Sequence, residues 1–148
     1  MVPLIDTFIK TVNDTVLARA REHPKLADKI WMSETNEGDP SPLPLPYIMI
    51  FADNGQRTDP LMSNTSAMIY FNYTVHYVGE TRQQVDALAD AFYKQWDVWR
   101  PVIPGIRSFK MKANFSTPDN TNDAIKPPLL YRVDEWGLRM VKGKGFSV

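Results

Sequence analysis

A chain of 148 residues, 43% of them hydrophobic and 23% charged, has the composition of one globular domain and not of a disordered or fibrous protein. Seventeen basic side chains balance seventeen acidic ones, so no net field draws the whole molecule to a phosphate backbone or an anionic membrane. The absence of cysteine excludes disulfides, thiolate nucleophiles and Cys-ligated zinc, and suits a reducing cytoplasm.

The first residues carry no basic stretch ahead of their apolar ones, and polar side chains interrupt them at every turn, so no signal peptide is expected. No apolar run approaches the roughly 20 residues that cross a bilayer, and no membrane partner is expected. Leu4, Ile5, Phe8, Ile9, Val12, Val16, Leu17 and Ala20 recur at spacings of three and four, which predicts an amphipathic helix from Pro3 to about Arg21. It should stop near His23-Pro24, since a proline disfavours helical geometry in the residue before it.

Residues 34–46, ETNEGDPSPLPLP, are too rich in proline for a helix or a central strand and read as a loop. Tyr47 to Phe51 then reads as a strand, closed by the turn-prone Asp53-Asn54-Gly55. From Ala67 to Val78 the alternation is unbroken: Ile69, Phe71, Tyr73, Val75 and Tyr77 on one face, Met68, Tyr70, Asn72, Thr74 and His76 on the other. Gly79 ends that strand, and Thr81 with Gln84 has the spacing of a capping box. The helix that follows carries Val85, Leu88, Ala89, Phe92 and Trp96 on one stripe, with Arg82, Gln83, Asp86, Asp90 and Lys94 opposite.

Pro101 and Pro104-Gly105 should terminate this second helix, and Ile106 to Phe115 reads as a further strand with apolar residues at 109, 111, 113 and 115. Residues 116–128, STPDNTNDAIKPP, read as an exposed excursion. In the last strand, Leu129 to Val141, the apolar positions shift phase between Leu130, Val133 and Trp136, Leu138, Met140, which suggests a bulge near Asp134-Glu135. The tail from Lys142 to Gly145 should be loose. Together these elements describe a single α+β domain over residues 1–148, a mostly antiparallel β-sheet packed against two main α-helices.

Few residues in the chain could carry chemistry. His76 lies on the polar strand face beside Thr74 and near Asn72, but a metal or general-base role needs further ligands or an orienting group, and a solvated or interface position asks for nothing more. His23 reads as a structural or capping residue at a helix end. Glu34, Glu37, Asp39 and Asp53 match no calcium-loop spacing and read as solvated acids, as do Asp134 and Glu135. There is no phosphate-cradling glycine loop, HExxH pair or GxSxG elbow, so no catalytic, metal or cofactor-binding residue is assigned and no enzyme is expected.

Contact surfaces are the remaining reading. Tyr70, on the strand face away from the apolar stripe, and Trp99, just past the second helix, are candidate interface anchors, with His76 a further interface candidate on the same strand face as Tyr70. The two loops contribute Asp39, Asp119 and Asn120. Arg139 and Lys142, with Lys144, form a basic end that could touch DNA or an acidic neighbour, against the simpler reading of a solvated tail.

The segments PLPYIMIF, YTVHYVGETRQQVDALADAFYKQW and LLYRVDEWGLRMV, in this order after an amphipathic helix, resemble the tail terminator proteins of long-tailed, siphovirus-like bacteriophages. The most telling piece is Tyr73 to Gln95, where an alternating strand runs through Val78-Gly79-Glu80-Thr81 straight into a helix. The resemblance implies a homo-oligomer, a hexameric ring on the finished tail tube, that stops polymerisation and offers its other side to a head-side connector. It also implies assembly in the host cytoplasm, a place at the head-proximal end of the virion tail, no cofactor, and DNA passing through the lumen without specific binding. A head–tail connector or tail-completion subunit would have a similar size and charge. A small ligand-binding domain or enzyme would instead gather His76 and the acids of 34–46 in one pocket, and a nucleic-acid-binding module would need a contiguous basic face, which scattered Lys and Arg do not readily provide.

Overall fold

Strict alternation over residues 69–77 produces the centre of the fold. Ile69, Phe71, Tyr73, Val75 and Tyr77 are all buried, while Tyr70, Asn72, Thr74 and His76 are half-buried on the other side. The computed structural model describes residues 4–33, 45–58, 67–104, 106–117, 120–122 and 129–142, and for 4–8, 33, 53–58, 67–68, 115, 120–122 and 142 the backbone alone. The elements in chain order are α1 (Leu4–Arg21), β1 (Ile30–Ser33), β2 (Tyr47–Thr58), β3 (Ala67–Gly79), α2 (Arg82–Trp96), β4 (Ile106–Ser108), β5 (Lys112–Ser116), β6 (Asn120–Asn122) and β7 (Leu129–Lys142).

The strands form one sheet in the order β1-β2-β3-β7-β4, with β5 and β6 also paired to β7. β1 runs parallel to β2 and every other pair is antiparallel. The last strand therefore lies between β3 and the short strands β4, β5 and β6. The architecture is the expected α+β one.

Both helices pack on the same side of the sheet. Val12, Val16 and Ala20 of α1 and Val85, Leu88, Ala89, Ala91, Phe92 and Trp96 of α2 join the inward residues of β2, β3 and β7 in one core. Its middle is an aromatic cluster: Trp96 lies 5.4 Å from Tyr73, 4.6 Å from Phe92 and 5.7 Å from Trp136, ring centre to ring centre. Trp96 is fully buried and its indole N–H donates to Val16 O at 3.0 Å, so the polar atom that burial would penalise is satisfied by the neighbouring helix. Truncating such a residue to alanine costs about 3–5 kcal/mol.

The start of α2 follows the capping logic. Thr81 Oγ1 accepts from Gln84 N at 3.2 Å, and Gln84 Oε1 accepts in return from the N–H of Glu80, one residue before the cap. Gly79 lets this start approach closely: a Cβ there would sit 3.1 Å from Gln84 Cβ and 3.3 Å from Val85 Cγ2, so those side chains would have to give by a few tenths of an ångström. The helix ends at Trp96, ahead of the prolines: Asp97 N–H still bonds to Tyr93 O, and Val98 then turns the chain with φ of 52°. A β-branched residue in that region carries strain of order 1–3 kcal/mol. His23 caps locally, its Nδ1 accepting from Lys25 N at 3.1 Å.

Several expectations change. Asp53-Asn54-Gly55 does not close a turn; it lies within β2, whose pairing with β3 shifts register between Asp53 and Gln56. A bulge needs the same turn-forming residues, which is why the motif misleads. Ile30–Ser33 forms a parallel edge strand that its short length hides. The strand expected over 106–115 is two, because Met111 leaves β7 and donates its N–H to Trp99 O at 2.7 Å. Within the 116–128 excursion, Asn120–Asn122 pairs with β7 as β6.

The last strand has no bulge of its own. β7 pairs with β3 without interruption from Leu130 to Lys142, and the irregularity sits in β5, between Ala113 and Phe115. The apparent phase shift arises because Asp134 occupies an inward position and Val133 an outward one. Asp134 is accordingly buried and not solvated. Residues 34–44, 118–119, 123–128 and 143–148, which include Asp39, Asp119 and Lys144, lie outside the described residues.

Candidate functional site

With both helices on one side, the opposite side of the sheet is covered by no other layer among the described residues. Register defines what it presents, since directly paired residues share a face. One row is Met49, His76 and Val133; the next is Phe51, Thr74 and Glu135; Tyr47, Val78 and Tyr131 form a third. Trp31 of β1 pairs with Met49, and its ring meets Tyr47 edge-on at 6.4 Å. Farther along, Asn72 pairs with Gly137 and Tyr70 with Arg139.

This face divides into two ends. Around His76 it is apolar and aromatic, carrying Trp31, Tyr47, Met49, Phe51, Val78, Tyr131 and Val133. Met49 and Val78 are buried yet belong to no part of the helix-side core. The other five, Trp31, Tyr47, Phe51, Tyr131 and Val133, are half-buried, so each leaves part of its apolar surface accessible on this face. Around Arg139 the same face is polar and basic.

His76 sits at the apolar end. Its ring meets Phe51 edge-on at 5.0 Å, and burial lowers its pKa from the usual 6.5, since the charged form loses solvation. No hydrogen-bond partner orients the ring among the described residues, and no group of three His, Asp or Glu side chains gathers there. The position suits a packed surface, and among the described residues no second group stands there for acid–base chemistry.

Of the other candidate anchors, Tyr70, His76 and Arg139 share the open face. Lys142 ends β7 opposite Ala67, and Asn120 pairs with Tyr131; only their backbone is described. Trp99 is on the helix side. It is half-buried, and the Arg19 guanidinium lies 5.6 Å above its ring. It lines an open groove of about 520 Å³ with Thr11, Asp14, Thr15, Ala18, Arg19 and Glu22. Val98, next to Trp99 in the chain, and Val102 are 64% and 88% exposed.

The polar group that sequence reasoning missed is inside. Tyr77 donates its hydroxyl to Asp134 Oδ2 at 2.8 Å, Ser116 Oγ bonds to Oδ1, and Arg132 Nε stands 3.4 Å from the same oxygen. Burial, and then the Asp134 charge, push the Tyr77 phenol well above its usual pKa, so it remains the donor. A pocket of about 170 Å³ opens beside this network, lined by Asp86, Ala89, Asp90, Tyr93, Arg132 and Asp134. The arrangement satisfies both carboxylate oxygens, and Ser116 Oγ accepts in turn from Arg132 Nε at 3.0 Å.

No family model and no curated protein matches the sequence. The structure is similar to a chain in the virion of a native gene transfer agent (GTA) particle, with a TM-score of 0.57, 14% sequence identity, and coverage of 88% of this chain and 93% of that one. At that identity the likeness is one of fold.

Proposed function

We propose that this chain is a structural protein of phage-like particles that caps the tail tube as a ring, ends its polymerisation and offers a surface for joining the head. The observation that carries this reading is the likeness of fold to a virion chain over nearly the full length of both partners. The quoted strand and helix segments resemble tail terminators, and the open sheet face and the Trp99 surface lie on opposite sides of the molecule, as a subunit with several neighbours requires.

The physical task is to stop a growth process that does not close by itself. Tube rings add through heterologous contacts, so growth ends only when a subunit has one face that fits the tube and a different one on its other side. Within the ring, the apolar half of the open face packs on a neighbouring subunit, where burial of Trp31, Phe51 and Val133 supplies the association energy. Nothing in this role needs a nucleophile or cofactor.

The test is to mix the purified chain with isolated tail tubes of its own particle and image them. Rings on one end only, together with loss of further subunit addition, are the expected result. Undecorated tubes that keep growing would refute the capping role, and rings that bind only to heads would move the protein to the connector side.

A further inference from the structure

At the end of the open face away from His76, cations from separate segments converge. Arg107 of β4 and Arg139 of β7 both lie over the ring of Phe109, their guanidinium carbons 6.0 and 5.0 Å from its centre. Phe109 donates its backbone N–H to Arg139 O at 2.9 Å, which holds the three together. Lys112, paired with Gly137, adds a third exposed cation on this face, and Lys110 stands exposed between the two strands.

None of the four pairs with a carboxylate among the described residues: the ion pairs there belong to the helices and their ends and to Arg132 with Asp134. The nearest outward acid on β7, Glu135, is diagonal to Lys112 and partly offsets it. It lies about 13 Å along the strand from Arg139, at roughly 3.3 Å per residue, beyond a physiological screening length. In a chain with balanced charge, Arg107, Lys112 and Arg139 thus gather at one end of one face, with Lys110 exposed nearby and Asp53 two strands beyond Gly137 in the row of Lys112.

We infer that this patch contacts the phosphate backbone of duplex DNA through Arg107, Lys110, Lys112 and Arg139 without reading base sequence. An acidic protein surface is the other class of anion that could meet it, and the geometry argues against that. Protein interfaces take their energy from aromatic anchors buried in the partner, whereas exposed charge pairs add little. Here the Phe109 ring is already occupied by two guanidiniums, so it offers no anchor. A polyanion needs none, because releasing condensed counterions supplies the affinity. Both arginines are exposed, and a guanidinium held over Phe109 can turn N–H groups toward phosphate oxygens for bidentate contact. The patch does not depend on the capping role and is tested without it.

The experiment is fluorescence anisotropy of the full chain with two labelled duplexes of unrelated sequence, titrated between about 50 and about 200 mM salt. Equal affinity for both duplexes is expected, with a slope of log K against log salt of about −3. Arg107→Gln, Lys112→Gln and Arg139→Gln should each reduce that slope by about 1 and weaken binding several-fold, while Lys25→Gln, beyond the opposite edge of the sheet, changes neither. Should Arg139→Gln fail to fold, Arg107→Gln and Lys112→Gln carry the test. The inference is overturned by absence of binding at the lowest salt, by unchanged slopes in these variants, or by poly-glutamate competing as well as DNA at equal charge, which would assign the patch to an acidic protein.

Discussion

Arg19 and Gln95 cap each other's helices. Arg19 Nε donates to Gln95 O at 2.8 Å, and Gln95 Nε2 donates to Arg19 O at 2.7 Å. Each carbonyl lies in the last turn of its helix, where acceptors run short of backbone donors; Arg19 O also takes a longer bond from Glu22 N at 3.2 Å. Arg19→Met and Gln95→Leu should each cost about 1 kcal/mol in urea denaturation, and the double variant should lose less than their sum by at least about 0.5 kcal/mol. Additive losses would mean that the two bonds are independent.

Asp134 serves three partners at once, so its removal should be costly for a residue beside an edge of the sheet. Asp134→Ala leaves the Tyr77 and Ser116 hydroxyls without their acceptor and should lower stability by about 2–3 kcal/mol, with Tyr77→Phe in the same background recovering part of it. Asp134→Asn keeps an acceptor and should cost less. Equal losses for Ala and Asn would show that the network contributes nothing beyond volume.

The sequence-level account succeeds where neighbouring residues decide the outcome and fails where distant ones do. The Ile69–Tyr77 alternation, the Thr81–Gln84 cap and the Val85–Trp96 stripe are local patterns, and each forms as expected. Asp134 looks solvated until Tyr77 and Ser116 are brought to it by pairing across the sheet. Asp53-Asn54-Gly55 is ambiguous between a turn and a bulge until β3 supplies the register. The same holds for the open face. Tyr70, His76 and Arg139 were each legible as outward residues, but that Arg139 meets Arg107 over Phe109 depends on β7 lying beside β4.

His76 gives a pH prediction with a definite sign. Burial depresses its folded-state pKa below 6.5, so between that value and the folded one the unfolded chain binds more protons. Stability is therefore full above about pH 6.5 and falls as the pH drops through the folded pKa. Urea midpoints at neutral and mildly acidic pH should show a smaller loss in His76→Gln than in the parent chain. The titrating carboxylates are common to both proteins and cancel in the difference. An identical loss would remove His76 as a contributor.

Val133 separates folding from association. It is outward and half-buried at the apolar end of the open face, away from the aromatic core. Val133→Lys should change monomer stability by less than about 1 kcal/mol in thermal melts, the range of surface substitutions, yet abolish ring formation in sedimentation and negative-stain images of capped tubes. Intact rings in this variant would exclude the open face as the subunit contact.

The most direct test of the capping role is the length of tails made when the gene is deleted from its own phage-like particle, scored by electron microscopy. The account predicts overlong tails without heads, restored to normal length by the parent chain supplied in trans. Tails of normal length that fail to join heads would contradict termination and favour a connector, and unchanged infectious particles would contradict a structural role in the tail altogether.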